Sequence, residues 1–150
     1  MEINIRAMKA SDYGKVKALW EHMHGFAIRS IDDSEEGICR FLQRNPGISV
    51  VATDGAQVIG TILCGHDGRT GSFYHVCVAE QYRRHGIGKD MVVHCMHALK
   101  EEKINTISLI AFTDNEVGNE FWNGIGWTKR ADANQYEFKL NEENIIAFTK

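Results

Sequence analysis

The middle of the chain dictates its topology before any other segment does. "GSFYHVCVA" is a β-prone run, "YRRHGIGKDMVVHCMHALKEEK" puts Met91, Val92, Cys95 and Leu99 on one helical stripe, and "TISLIAF" is a second β-prone run. Strand, long helix, strand is a crossover unit. It predicts a strand near 73–79 lying parallel to and beside one near 106–112, joined by a helix over about 86–102.

The flanking segments fill in a sheet around that unit. "INIRAM" alternates as a first strand, and Ser11 or Asp12 is placed to cap a helix carrying Val16, Leu19, Trp20 and Met23, ending near Gly25. Trp20 belongs to the apolar stripe of that helix and is expected in the core. Ser34 caps a second helix with Ile38, Phe41 and Leu42, which "NPG" at 45–47 stops. Between these helices "HGFAIRSIDDS" has no period and reads as a loop. "ISVVATD", "AQVIGTILCGHD" and "GSFYHVCVA" form an antiparallel meander, with Asp54-Gly55 and "HDGRTG" as hairpin turns. A short helix over about 115–123 is followed by "GWTKR" and "NQYEFKL", which read as a final strand pair, with Trp127 closing the sheet. The expected class is α/β in the α+β mixed-sheet sense: a mostly antiparallel sheet with one parallel pair and helices on both faces.

A chain of 150 residues with 43% hydrophobic and 25% charged residues and a single proline is sized for one domain, 1–150, with a real core. Its net charge of −3 argues against nucleic acid and against a membrane surface as partner. No apolar run reaches membrane-spanning length, and "MEINIRAMKASDYGKVKALW" mixes both charge signs where a signal peptide needs an apolar centre, so a cytoplasmic location is expected. Cys39, Cys64, Cys77 and Cys95 are widely separated among apolar residues, which suits reduced, mostly buried thiols and argues against a metal site.

The stretch "YRRHGIGKD" raises the chemical question. Gly86 and Gly88 sit where strand gives way to helix, where glycine permits positive φ and lets backbone N–H groups converge. A helix start also carries unpaired N–H groups and the positive dipole end, so phosphate is its natural guest, with Arg83, Arg84 and His85 beside it. Met91 occupies the third glycine position of a dinucleotide fingerprint, and Asp90 follows "GIGK" where a nucleoside-triphosphate loop needs serine or threonine. Neither of those readings is favoured.

"VAEQYRRHGIGKDMV" resembles the acetyl-coenzyme A motif of the GNAT superfamily of N-acetyltransferases, Q/R-x-x-G-x-G/A, with Arg83, Gly86 and Gly88 at its fixed places. "NEVGNEFWNGIGW" resembles the family's second motif, N-x-x-A-x-x-F-Y-x-x-x-G-F, with Asn115, Gly118, Phe121, Trp122, Gly126 and Trp127 in order. The meander "GTILCGHDGRTGSFYHVCV" is similar to the small bacterial YpeA-type acetyltransferases. The resemblance implies a GNAT-like fold whose parallel strands splay apart around the pantetheine arm of acetyl-CoA. It implies that the backbone of Arg84, His85, Gly86, Ile87, Gly88 and Lys89 holds the pyrophosphate, and that backbone groups of Cys77, Val78 and Ala79 pair with the pantetheine like an added strand. An N–H near Val78 would then face the thioester oxygen, where charge grows during attack. Asn115, Phe121 and Trp122 belong to the same cofactor-binding set.

The implied reaction is acetyl transfer to a primary amine of a small molecule or protein, with no metal. A protonated amine, with a pKa of about 10.4 for a lysine-like group, cannot attack, so a base is needed. The family's glutamate position holds Ser72, which leaves His75, Tyr74 and Glu80, with His66 and Asp67 from the hairpin, as candidates. Histidine has the ordinary pKa best suited to the task, and strand alternation sends Tyr74 and His75 to opposite faces. Trp122 stands where the family carries an acidic tyrosine, and indole donates without titrating, so Tyr136 or water would protonate the leaving thiolate. Trp122 can equally be core packing. The family builds its acceptor pocket between the first two helices, where His24, Phe26, Arg29, Asp32 and Asp33 lie. Ser72 and Trp122 also motivate a non-catalytic coenzyme A-binding module, and Arg83 and Arg84 alone motivate a nucleic-acid role. The chain is expected as a monomer or homodimer, because "NIIAFTK" leaves Ile145, Ile146 and Phe148 needing cover.

Overall fold

The computed structural model describes residues 1–149. A five-stranded sheet has the order β1-β3-β4-β5-β6, from β1 (Ile3–Ala7), β3 (Val50–Asp54), β4 (Gln57–His66), β5 (Gly71–Val78) and β6 (Ile107–Ser108). All neighbours are antiparallel except β5 and β6, which run parallel and are joined by α3 (Ile87–Glu101). The predicted crossover is therefore present.

Strand β4 is buried continuously from Val58 to Gly65, the pattern of a strand covered on both faces. Its two faces are identified by neighbours. Thr61 Oγ1 accepts the indole N–H of Trp20 from α1 (Tyr13–Glu21) at 2.9 Å. At Gly60 a side chain would meet Met91 Cε of α3 at 3.0 Å. Adjacent strand residues face opposite sides, so α1 and α3 cover opposite faces. Ser34 caps α2 (Glu35–Arg44) by accepting from Gly37 N at 3.1 Å. The core between these layers holds Val16, Trp20, Ile38, Ile62, Met91 and Leu99, each no more than 1% exposed. Full burial of such a side chain stabilises by about 1.5–3 kcal/mol.

Neither Ser11 nor Asp12 caps α1 through its side chain. Asp12 instead accepts from Lys9 N at 2.8 Å and takes both guanidinium nitrogens of Arg6 at 2.8 Å, which fastens β1 to the helix entry. The Arg6 hydrogen bonds hold its carboxyl below the usual range against the opposing effect of burial. All four cysteines are free, three buried and Cys39 half-buried.

Two expectations are corrected. The segment between α1 and α2 contains a short strand, β2 (Ala27–Arg29), paired antiparallel with β7 (Ile146–Phe148) in a separate two-stranded sheet. The closing strand pair expected in "GWTKR" and "NQYEFKL" does not form, and residues 127–139 carry no regular secondary structure. The physical reason is the outer edge: β6 is two residues long and offers no ladder for another strand. Pairing with β2 satisfies the backbone of β7 but does not cover its side chains, and Ile145 and Phe148 stay more than 60% exposed. No helix among the described residues is long and apolar enough to cross a membrane.

Candidate active site

The strand-to-helix turn is a preorganised donor cluster. After β5 the chain makes a 3-10 turn, Glu80–Tyr82, anchored by the Tyr82 hydroxyl donating to Asp54 Oδ2 at 2.5 Å. Arg84 and Gly86 then take left-handed φ values of 67° and 78°. The first α-helical bond is Asp90 N to Gly86 O at 3.0 Å, and none of the amides of residues 84–89 donates to another group among the described residues. Unpaired N–H groups at the start of a 15-residue helix present partial positive charge to a guest. Arg83, Arg84, His85 and Lys89 are exposed around them, whereas Ile87 is buried and contributes only backbone. Arg83 Nε donates to Val78 O at 3.1 Å, and His85 Nδ1 donates to Tyr82 O at 3.1 Å.

The two glycines act differently. An added Cβ at Gly86 would meet nothing within 4 Å, so its φ is the requirement there. At Gly88 it would stand 3.2 and 3.3 Å from the Phe121 ring, so absence of bulk is the requirement. Gly88 thus lets α4 (Glu116–Gly124) lie against the first turn of α3. Asn115 caps α4, its Oδ1 accepting from Gly118 N at 3.0 Å.

Strand β5 opens beside this turn. It pairs with β6 only at Gly71 and Ser72, which leaves residues 73–78 without a strand neighbour on that edge. The N–H of Ala79 is committed to Ile59 O at 2.8 Å. By alternation the polar groups of Val78 turn away from β4, and the Arg83 bond to its carbonyl agrees. Burial pushes the Cys77 thiol up to about 11, and the thiol lies 3.4 Å from Thr61 Oγ1. The site therefore offers free amides, exposed basic side chains and an open strand edge, a donor set that fits a pyrophosphate with a pantetheine arm.

His75 departs from the expected geometry. Leu63 pairs with Tyr74 and Thr61 with Cys77, so two residues of β5, His75 and Val76, oppose Ile62 alone. This is a β-bulge, with His75 at φ 48°. The extra residue cancels the alternation that predicted opposite faces for Tyr74 and His75. Both turn toward α1 and α2: Tyr74 stands edge-on to Phe41 at 6.0 Å, and His75 packs on Trp20 at 4.5 Å and Phe26 at 5.1 Å. Thr61 Oγ1 donates to His75 O at 2.7 Å and pins the bulge. His75 Nε2 lies 2.8 Å from Asp33 Oδ1. Residues from β5 and from the segment between α1 and α2 thus meet, a contact no local pattern announces.

The other candidates fall into place around this pair. Asp67 accepts from the amides of Arg69 and Thr70 at 2.8 Å, and these bonds lower its pKa, so it is a hairpin fastener. His66 accepts from Gly68 N at 2.9 Å and meets Glu102 at 3.0 Å, with both ring nitrogens engaged. Glu80 is exposed and lines a cavity of about 580 Å³ that also touches His22, His24, Ala79 and Arg83. A larger hollow, about 740 Å³, lies between edge strand β1 and α3, with His85 on its rim. Tyr136 is 91% exposed and joins no hydrogen bond among the described residues. Trp122 packs with Phe121, Trp127 and Phe73, at 4.9, 4.6 and 6.3 Å between ring centroids. Arg29 reaches Glu137 at 3.8 Å, and Asp32 Oδ2 accepts from Asn144 at 2.9 Å.

Comparison with known proteins agrees with this geometry. The family model described as acetyltransferase (GNAT) family matches residues 15–127. An acetyltransferase of Sodalis glossinidius is 30% identical over 115 residues, 77% of this chain and 80% of that protein. Among solved structures, the PaiA N-acetyltransferase of Thermoplasma acidophilum in complex with coenzyme A superposes with a TM-score of 0.75 at 15% identity, covering 97% of each chain. The ribosomal-protein-alanine N-acetyltransferase of Brucella melitensis gives 0.69 at 16% identity, over 93% of this chain and all of the other.

Proposed function

The chain belongs to the acetyltransferase (GNAT) family, and from that premise we propose that it acetylates a primary amine of a small molecule or protein, acting as one acetyl-CoA-binding domain over residues 1–150 in the cytoplasm. Within the family we place it nearest the small bacterial YpeA-type acetyltransferases. The observation that carries the proposal is the turn at 84–89, whose amides donate to no group among the described residues and lie at the open end of β5. The pyrophosphate of acetyl-CoA is assigned to those amides with Arg83, Arg84 and Lys89, and the pantetheine to the outward backbone groups of Val78, since those of Cys77 turn toward β4. Ala79 contributes a wall, since its N–H already serves β4.

His75 is the proposed base. Its Nε2 is held by Asp33, and its Nδ1 has no partner among the described residues. It removes a proton from the acceptor ammonium, the freed amine attacks the acetyl carbonyl, and the Val78 N–H faces the oxygen on which charge collects. Glu80 and His24 line a cavity that His75 does not border, and they take no part in this proton transfer. Solvent protonates the leaving thiolate, because Tyr136 stands on the surface and Trp122 sits in an aromatic cluster. Trp122, Phe121 and Asn115 support α4 against the turn.

The test is release of free thiol from acetyl-CoA with a panel of polyamines, amino acids, aminoglycosides and peptides. Amine-dependent release is expected. Ser72, held in the β5–β6 ladder, and the packed Trp122 favour a second reading, a non-catalytic coenzyme A-binding module. Tight acetyl-CoA binding with no thiol release across the panel would select it. A homodimer over the exposed Ile145 and Phe148 completes the proposal, and light scattering that reads only the monomer mass removes it.

A further inference from the structure

The environment of Asp33 asks for an explanation beyond folding. This carboxylate is 7% exposed, in the turn before α2, and it pairs with no lysine or arginine among the described residues. The group facing it that can carry positive charge is His75, at 2.8 Å. A buried anion without a counter-charge is costly, so the imidazole is more than a neighbour. Asp33 is also rigidly held. Its Oδ2 accepts from Arg29 N at 2.7 Å, its N–H donates to Arg29 O at 2.9 Å, and its carbonyl accepts the Tyr13 hydroxyl at 2.7 Å.

The ring's hydrogen bonds fix its tautomer. An ionised carboxylate only accepts, so the proton of neutral His75 belongs on Nε2, and Nδ1 carries a lone pair. Every buried side-chain nitrogen or oxygen among the described residues has a partner. Nδ1 has none, so it is not sealed in the core and remains reachable by solvent. The rings of Trp20 and Phe26 constrain the imidazole plane, so that the reachable nitrogen keeps one direction.

We infer that Asp33 is the positioning residue of an Asp33–His75 pair. It keeps the proton on Nε2, aims the Nδ1 lone pair at the acceptor ammonium, and offsets the charge of the imidazolium formed on proton uptake. This rests on the reading of His75 as base. In the step, the ammonium proton moves to Nδ1, the freed nitrogen lone pair forms the N–C bond to the acetyl carbon, and the now positively charged nitrogen releases a second proton to solvent to become the amide. The C–S bond breaks, its electrons leave on sulfur, and the thiolate takes a proton from solvent. His75 then returns its extra proton to solvent.

The charged and titratable groups around the pair are few. Tyr13 from α1 reaches the Asp33 carbonyl, with its own pKa raised by burial and then by Asp33, Glu35 and Glu21. Cys77 lies beyond Thr61 on β4, and the Arg29 guanidinium is turned to Glu137. None of these replaces Asp33 as the neighbour of Nε2.

Four measurements decide the matter. A long-range proton–nitrogen spectrum of the wild-type protein above the His75 pKa should show the proton on Nε2, and a proton on Nδ1 overturns the inference without any variant. Asp33→Asn should lower kcat by about 10²-fold or more, leave the KM for acetyl-CoA within twofold, and move the acidic limb of the rate profile to lower pH. The direction follows because removing an anionic neighbour makes imidazolium harder to form. Asp33→Glu should recover part of the rate. A folded Asp33→Asn enzyme with wild-type kcat and an unmoved limb overturns the positioning role. His75→Gln separates this from the underlying reading: full activity there removes the base itself, while loss of activity there with Asp33→Asn unaffected removes only the inference about Asp33.

Discussion

Substitution at Gly86 separates the conformational cost of the turn from its role in binding. Gly86 has φ 78° and ψ 7° with nothing within 4 Å of an added Cβ, so the effect of a side chain comes from the left-handed backbone rather than from a clash. Alanine there costs about 1–2 kcal/mol. Asparagine, which tolerates that region, costs less, and β-branched valine costs most. In a chain of 150 residues each kcal/mol lowers the melting temperature by about 2–4 °C, so alanine should melt roughly 2–8 °C below wild type. Binding follows a different course. While the surrounding structure enforces the turn, the amides of residues 84–89 stay convergent, and asparagine and alanine keep acetyl-CoA affinity close to wild type. Valine is strained enough to relax to negative φ and disperse the amides, which should raise Kd by at least tenfold, about 1.4 kcal/mol. Calorimetric titration with acetyl-CoA, run beside thermal melts of the three variants, reads both effects. A valine variant with wild-type Tm and wild-type Kd refutes the reasoning, as does an alanine variant more stable than glycine.

Trp122→Phe should keep kcat within about threefold, since the ring packs against Trp127 and Phe73 and has no proton to give; a loss of the 10²-fold or more typical of a general acid contradicts this. Asp12→Asn weakens the paired hydrogen bonds to Arg6 and should cost about 1–2 kcal/mol at neutral pH. Because the folded pKa of Asp12 lies below its unfolded value, its contribution is full above the ordinary carboxylate range and fades as pH falls through the folded pKa. The difference between wild type and variant in urea melts should therefore shrink on acidification, and a constant difference contradicts the assignment. The Cys77 thiol, pushed up to about 11 by burial, should be alkylated at pH about 8 far more slowly in the folded chain than in urea, as read by peptide mass mapping. Equal rates would place it at the surface.

The parts legible in the sequence are those written in local periodicity. The stripe of Met91, Val92, Cys95 and Leu99 between two β-prone runs specified the parallel crossover, and two glycines beside arginines marked the donor turn. Ser34 capped its helix where its spacing placed it, and the short last helix began near Asn115 as read. What escaped depends on contacts distant in the chain. Strand β2 exists because Ala27 meets Phe148, and three isolated residues of the first helix connection carry no alternation of their own. The bulge at His75 adds one residue to β5 without any glycine or proline to announce it, so a period of two carried past it sends every later side chain to the wrong face. The contact between Asp33 and His75 joins these two hidden features. "GWTKR" and "NQYEFKL" show the opposite failure: they have strand composition, but a strand also needs an edge to pair with, and β6 does not supply it.

The central claim is that the turn at residues 84–89 holds the coenzyme pyrophosphate, and amide spectra of the 15N-labelled protein titrated with coenzyme A test it most directly. The account predicts that the amide resonances of residues 84–89 and of Val78 move together with one saturating binding curve, while Ala79, whose N–H is held by Ile59 O, moves least among its neighbours. Saturable binding whose shifts fall on other residues and leave 84–89 in place would contradict it.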